Sequence, residues 1–189
     1  MTKIVLIGDS IRIGYETAVR RGLQGKAEVW TPPENGGNTR NVLAHIQEWG
    51  VDPGPDVIHV NAGLHDIKVD RDTCKRAVSA DEYRRNVRMI LETLQDRTDA
   101  SILWATTTPV DPERHNRGKP FDRFESDVIE CNDAAREVCH TLGVEISDLH
   151  SCAAEMDLEE ALLDDGVHFT PEAYETLGSA VVHRLADWL

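Results

Sequence analysis

The sequence predicts a three-layer α/β fold: a doubly wound parallel sheet of five strands in the flavodoxin-like order 2-1-3-4-5. Three observations predict it. Short runs of branched apolar residues occur with almost no polar alternation, which is how strands buried on both faces read. These runs alternate with stretches of helical periodicity, so successive strands are joined by crossovers and lie parallel. No repeat, low-complexity stretch or linker interrupts the pattern, so the 189 residues are expected to form one domain, 1–189, long enough to bury most of its apolar surface.

The first strand is Lys3 to Ile7. It stops at Gly8-Asp9-Ser10, where Gly8 allows a tight exit and Asp9 and Ser10 are both good helix N-cap residues. Ile11, Tyr15, Ala18, Val19 and Leu23 then recur at helical steps. Ala27 to Thr31 is the second strand, followed by the turn-forming run from Pro32 to Thr39. Asn38 or Thr39 caps a helix through Val42, Leu43, Ile46 and Trp49, and Pro53-Gly54-Pro55 breaks the chain. Trp30 and Trp49 are expected in the core. Asp56 to Val60 is the third strand, left through Asn61-Ala62-Gly63-Leu64-His65-Asp66. The charged stretch from Ile67 to Ser79 has no regular pattern, and a helix follows from Ala80 to Arg97. Ser101 to Ala105 is the fourth strand. The polar segment Asp111 to Pro120 reads as a mobile loop at the rim of a site. A helix from Phe124 to Leu142 ends at Gly143, with Asn132 mid-helix and expected to face solvent. Val144 to Ile146 is the fifth strand, and short helical pieces fill Ser147 to Leu163. Thr170 and Pro171 open the last helix, whose inner side carries Tyr174, Leu177, Val181, Leu185 and Trp188.

The chain carries 20 basic against 34 acidic residues, a formal charge of −14. Such a surface repels phosphate backbones and anionic lipid, which argues against nucleic-acid and membrane-surface partners. No segment approaches the run of about eighteen apolar residues that spans a bilayer. The chain starts directly on a core strand, with no signal peptide in it. The four cysteines, Cys74, Cys131, Cys139 and Cys152, show no CxxC spacing. Reduced thiols and a cytoplasmic location are the expectation. No stretch specifies an oligomeric state.

Segments able to carry chemistry leave the carboxyl ends of strands at Gly8-Asp9-Ser10, Gly36-Gly37-Asn38, Gly63-Leu64-His65-Asp66 and, less directly, Asp165-Gly166-Val167-His168. In a parallel sheet these ends share one edge, so the loops converge. Ser10 serves either as a helix cap or, with a base beside it, as a nucleophile. His168 is a loop histidine able to act as that base, and Asp165 can hold its other ring nitrogen. The absence of a GxSxG elbow separates the chain from the usual α/β-hydrolases.

Gly8-Asp9-Ser10, Gly37-Asn38-Thr39, Gly63-Leu64-His65-Asp66 and Asp165-Gly166-Val167-His168 resemble, in order and over nearly the whole chain, the four blocks of the SGNH (GDSL-type) hydrolases. The resemblance implies the SGNH hydrolase fold and a serine esterase or acyl hydrolase, with Ser10 as nucleophile, His168 as base and Asp165 as its orienter. It implies a small-molecule ester as substrate, and no metal or organic cofactor. It also implies an oxyanion hole from the Ser10 and Gly37 backbone N–H groups and a third-block asparagine. Here the third block departs from the family's G-x-N-D, with His65 in the asparagine position. A neutral imidazole has one N–H to offer; if His65 points elsewhere, Asn61 is the substitute. Asp9 and Asp66 are expected to tie loops together. Arg12 and Arg40, just past the first two blocks, are candidates for an anionic substrate group, against the plainer role of surface arginines.

Hydrolysis of a short-acyl ester, including a carbohydrate O-acetyl ester, is the leading functional reading. A metal-dependent phosphoesterase is an alternative, since the third block is also similar to the GNHD loop of that group and Asp9 and His168 would be ligands. The absence of an early DxH and of GDxxD counts against it. A non-catalytic α/β binding module is the other alternative. The His65 departure supports it, and the pairing of Asp165 with His168 opposes it.

Overall fold

A computed structural model describes residues 1–189. In chain order the elements are β1 (Thr2–Ile7), α1 (Ser10–Gly22), β2 (Ala27–Trp30), α2 (Thr39–Ala44), β3 (Val57–Val60), β4 (Val69–Asp70), α3 (Ala80–Arg97) and β5 (Ser101–Ala105). There follow α4 (Pro112–Gly118), β6 (Phe121–Asp122), α5 (Glu125–Leu142), β7 (Glu145–Ser147), α6 (Leu149–Ala154), α7 (Leu158–Ala161) and α8 (Pro171–Leu185).

The main sheet runs β2-β1-β3-β5-β7 with every pair parallel. Taken in chain order its strands are 2-1-3-4-5, as expected. β1 lies between β2 and β3, with Ile4 opposite Val57 and Ile7 opposite Val60. α1 packs on α8 and α3 on α5, one pair against each face. Ile4, Val5, Leu6 and Ile7 are wholly buried between these layers, which is why β1 needs an unbroken apolar run. Trp49 joins the core, whereas Trp30 buries only part of its surface because β2 is an edge strand.

Three segments differ from expectation. The helix capped by Asn38 stops at Ala44, and a π-helical turn at Gln47–Val51 carries Trp49 inward. His45 stacks on Trp49 at 4.5 Å between ring centroids, and a Cβ on Gly50 would meet Leu94 at 2.5 Å. The shifted turn thus stacks Trp49 on His45 and seats the bare backbone of Gly50 against Leu94 of α3. The segment expected as a mobile loop contains α4: Asp111 accepts the Arg114 N–H at 3.1 Å as its cap, and Pro112 opens the first turn. β6 after it pairs antiparallel with β4, and Arg71 donates to Asp122 at 2.8 Å. The two segments that read as irregular brace each other along the rim.

Asn132 does not face solvent. It is 1 % exposed; its Oδ1 accepts the Thr107 N–H at 2.8 Å and its Nδ2 donates to the Thr107 carbonyl at 2.9 Å. Thr107 lies past the end of β5, where no neighbouring strand supplies partners, and the amide replaces a stretch of ladder. Asn132→Ala strands both groups in the interior. It is expected to lower the unfolding free energy by about 1–3 kcal/mol, read from urea denaturation curves.

Candidate active site

Ser10 is the first residue of α1, set at the carboxyl end of β1 by the Gly8-Asp9 turn. Asp9 is fully buried and caps its own helix, its Oδ1 accepting the Ile11 N–H at 3.0 Å, so, contrary to expectation and unlike Asp66, it does not bridge to another loop. Burial raises its carboxyl, opposed by the Ile11 N–H and by the charges of Arg123, His168 and Arg12.

His168 reaches Ser10 across 158 positions of sequence, with Nε2 2.8 Å from Oγ. Its Nδ1 lies 2.5 Å from Asp165 Oδ2. The other Asp165 oxygen accepts the Val167 and His168 N–H groups at 3.0 and 2.9 Å. An acceptor-only carboxylate at Nδ1 places the ring proton there and leaves the Nε2 lone pair for the Ser10 hydroxyl. Burial works to raise the Asp165 carboxyl, and the hydrogen bonds from His168 and Val167 outweigh it, bringing the pKa down to about 2. The turn is locked in place: Gly166 has φ +68°, and a Cβ there would come within 2.5 Å of the Asp111 carbonyl. Asp111 N–H donates to the Gly166 carbonyl at 2.8 Å, joining the turn to the start of α4.

The second loop lies directly over the exit of β1. Gly36 N–H donates to the Gly8 carbonyl at 2.9 Å, and a Cβ on Gly36 would fall 2.8 Å from that oxygen. Gly37 N–H donates to the Asn35 side-chain oxygen at 2.8 Å. His65 is half-buried, and burial, with Lys68 and Arg123 nearby, pushes its imidazole down to about 4. It is therefore neutral at neutral pH and has one N–H to give. Asn61 has its amide turned inward, donating to the Ala105 carbonyl at 2.8 Å, so it does not take the place of His65. Asp66 accepts from the Thr39 N–H at 3.1 Å and the Thr39 hydroxyl at 2.5 Å, and Asn86 donates to that hydroxyl at 2.9 Å. Burial raises Asp66 to about 6 against these bonds. Its role is to hold the second block against the third.

These loops line a cleft of about 210 Å³ with Ser10, His65, Asp165 and His168, and Phe121 and Arg123 line it as well. Arg12 and Arg40 are not part of it. Arg12 is buried, paired with Glu16, and donates to the Glu34 carbonyl at 3.2 Å, so it supports the second loop from behind. Arg40 is spent on Glu82, with bonds of 2.5 and 2.6 Å. Neither guanidinium is free for substrate.

Sequence reading missed His115 and Arg123. His115 Nδ1 donates to the Asp165 carbonyl at 3.1 Å, its Nε2 lies 3.3 Å from Arg123 Nη1, and Arg123 Nε donates to the Leu64 carbonyl at 2.7 Å. One chain of side chains thus spans from the third block to the Asp165 turn. Both residues sit in or beside the segment read as a rim, the only signal the sequence carried for them. No three His, Cys, Asp or Glu side chains are gathered as metal ligands.

A model of the GDSL-like lipase/acylhydrolase family matches residues 6–176. No curated protein matches the chain. Among solved structures, a lipase/acylhydrolase from Enterococcus faecalis superposes with a TM-score of 0.84 at 22% identity, over 99% of this chain and 96% of that one. The acetyl xylan esterase AlAXEase gives 0.79 at 16% identity, over 97% of this chain and 99% of that one. An acetylxylan esterase from Geobacillus stearothermophilus gives 0.77 at 17% identity, over 97% and 94%. At these identities the likeness speaks for the fold.

The low pKa of His65 has a consequence for stability. Between the ordinary 6.5 and the folded value of about 4, the unfolded chain binds a proton that the folded chain does not. Stability is therefore expected to fall as pH drops through that window. His59, wholly buried and also pushed down to about 4 by burial, acts in the same direction. In His65→Asn the urea midpoint should fall less steeply from pH 6.5 to 4 than in the parent; equal slopes would refute the assignment.

Proposed function

The chain belongs to the GDSL-like lipase/acylhydrolase family, and from that premise we propose that it hydrolyses a carboxylic ester through an acyl-enzyme on Ser10. The observation that carries the reading is the continuous hydrogen-bonded line from Ser10 Oγ through His168 to Asp165. A serine hydroxyl is mostly protonated at neutral pH and needs a base in contact, and an imidazole needs its tautomer held. The geometry meets both requirements.

In the first half-reaction His168 Nε2 takes the hydroxyl proton as Oγ attacks the ester carbonyl. The imidazolium formed is stabilised by Asp165, whose low pKa keeps it ionised. Collapse of the tetrahedral intermediate breaks the ester C–O bond, and His168 returns the proton to the departing alkoxide. In the second half-reaction water loses a proton to His168 and attacks the acyl-enzyme. The carboxylic acid leaves and Ser10 regains its hydrogen.

The negative charge on the carbonyl oxygen is met by the Ser10 and Gly37 N–H groups and by the neutral His65 ring. The carbonyl oxygen replaces the Asn35 oxygen on the Gly37 N–H, an exchange that needs only rotation of an exposed side chain. The cleft lies below the usual range for drug-sized ligands, roughly 300–1,000 Å³, and suits a small ester with a short acyl group. A carbohydrate O-acetyl ester is in keeping with the acetyl xylan esterases among the similar structures.

Ser10→Ala is expected to cut hydrolysis of p-nitrophenyl acetate by about 10⁴-fold or more while leaving the circular dichroism spectrum unchanged. A fluorophosphonate should label Ser10, located by peptide mass spectrometry. Retained turnover in Ser10→Ala removes the reading. His65→Ala is expected to lower kcat about 100- to 1,000-fold with little change in KM, and His65→Asn to retain most of the rate.

A further inference from the structure

Two arginines are buried to more than nine-tenths, Arg12 at 3 % and Arg123 at 6 % exposure. They are held in opposite ways. Arg12 forms an ion pair with Glu16. Arg123 has no carboxylate within ion-pair distance: Nε donates to the Leu64 carbonyl, Nη1 lies against His115, and Nη2 meets no protein acceptor. Burial lowers the guanidinium to about 10, with Asp9 and Asp165 opposing, so it remains charged at neutral pH. Holding an unpaired cation in the interior is costly unless something completes it.

The surroundings say what would. Arg123 and Lys119 both line the Ser10 cleft. The Phe121 ring beside them has Arg123 at 5.1 Å and Lys68 Nζ at 4.9 Å from its centroid. Three cations therefore gather about one aromatic wall, on a chain whose formal charge is −14. The carboxylate lining the cleft is Asp165, whose oxygens are occupied by His168 and two backbone N–H groups. Asp9 is fully buried as the cap of α1.

We propose that the substrate ester carries a carboxylate group, bound at Arg123 Nη2 with Lys119 and Lys68 adding to the field, while Ser10 attacks the ester carbonyl. The proposal rests on ester hydrolysis at Ser10 and narrows its substrate to hemiesters of dicarboxylic acids or acylated hydroxy acids. Arg123 has a second role as a positioning residue, through Leu64 and His115.

The test compares matched esters by kcat/KM in a pH-stat. Ethyl hydrogen succinate against ethyl butyrate places the charge on the acyl side; 4-acetoxybenzoate against 4-acetoxybenzamide places it on the alcohol side. In at least one pair the charged ester should be favoured by about ten- to a hundredfold, the range of one charge-assisted hydrogen bond. That ratio should shrink with added sodium chloride and in Lys119→Gln, and approach one in Arg123→Gln whatever becomes of the absolute rates. Equal or lower kcat/KM for the charged ester in both pairs overturns the proposal. If no ester turns over and Ser10 takes no fluorophosphonate, the hydrolase reading falls by itself. Calorimetric titration of the Ser10→Ala protein then decides the rest: binding of succinate but not succinamide keeps the carboxylate site, and no difference removes it.

Discussion

The parallel pairing of β1 with β2 on one side and β3 on the other is the constraint on which the site depends. Parallel neighbours about 4.8 Å apart put their carboxyl ends on the same edge. The loops leaving β1, β2 and β3 therefore start side by side, and they bring Ser10, the Gly36-Gly37 turn and His65 together with no further instruction. The Asp165–His168 turn arrives by a longer route, through α6 and α7 after β7. Backbone bonds hold it: Leu163 N–H to the His168 carbonyl at 2.8 Å and Thr170 N–H to the Ala161 carbonyl at 2.8 Å.

An edge that gathers loops also buries backbone groups where the sheet ladder has ended, and these need partners. The chain supplies them from side chains. Asn61 takes the Ala105 carbonyl, Asn132 takes both polar groups of Thr107, and Asp66 takes the Thr39 N–H. Thr106 does the same for the start of α6, its hydroxyl donating to Asp148 at 2.9 Å and accepting the His150 N–H at 2.9 Å. Each bond crosses between segments far apart in sequence. The polar residues around the cleft thus hold in place the segments that carry its titratable groups.

Electrostatics separate those groups by surroundings rather than by residue type. Asp165 is held ionised by the donors around it, while buried Asp66 is pushed up to about 6. His65, pushed down by burial with Lys68 and Arg123 beside it, is kept neutral and has one N–H to donate. The basic wall at Arg123, Lys119 and Phe121 stands out because the rest of the chain is acidic. It makes the cleft a local exception to the molecule's charge.

The five main strands, the long helices between them, the placing of Ser10 at the end of β1 and the reach of Asp165 to His168 were legible in the sequence, because each follows from local chemistry; β4 and β6 were not, and the sheet order came from the alternation of strands and helices. A β-branched run makes a doubly buried strand, a Gly-Asp-Ser turn exposes a side chain at a helix start, and an Asp three residues before a His can reach its ring. Even α4 was announced locally, by Asp111 and Pro112 in cap and first-turn positions, though the polar composition around them suggested a loop. The fates of Arg12, Arg40, Asn61, Asn132, His115 and Arg123 were not legible. Each is decided by a partner between 8 and 59 residues away, apart from the i,i+4 pairing of Arg12 with Glu16. A long polar side chain has several such partners within reach, and only the packed chain selects one. Local sequence sets where Ser10, the Gly36-Gly37 turn and His65 leave the sheet; packing sets which charges face the cleft, because burial and pairing are properties of neighbours that meet only when the layers close.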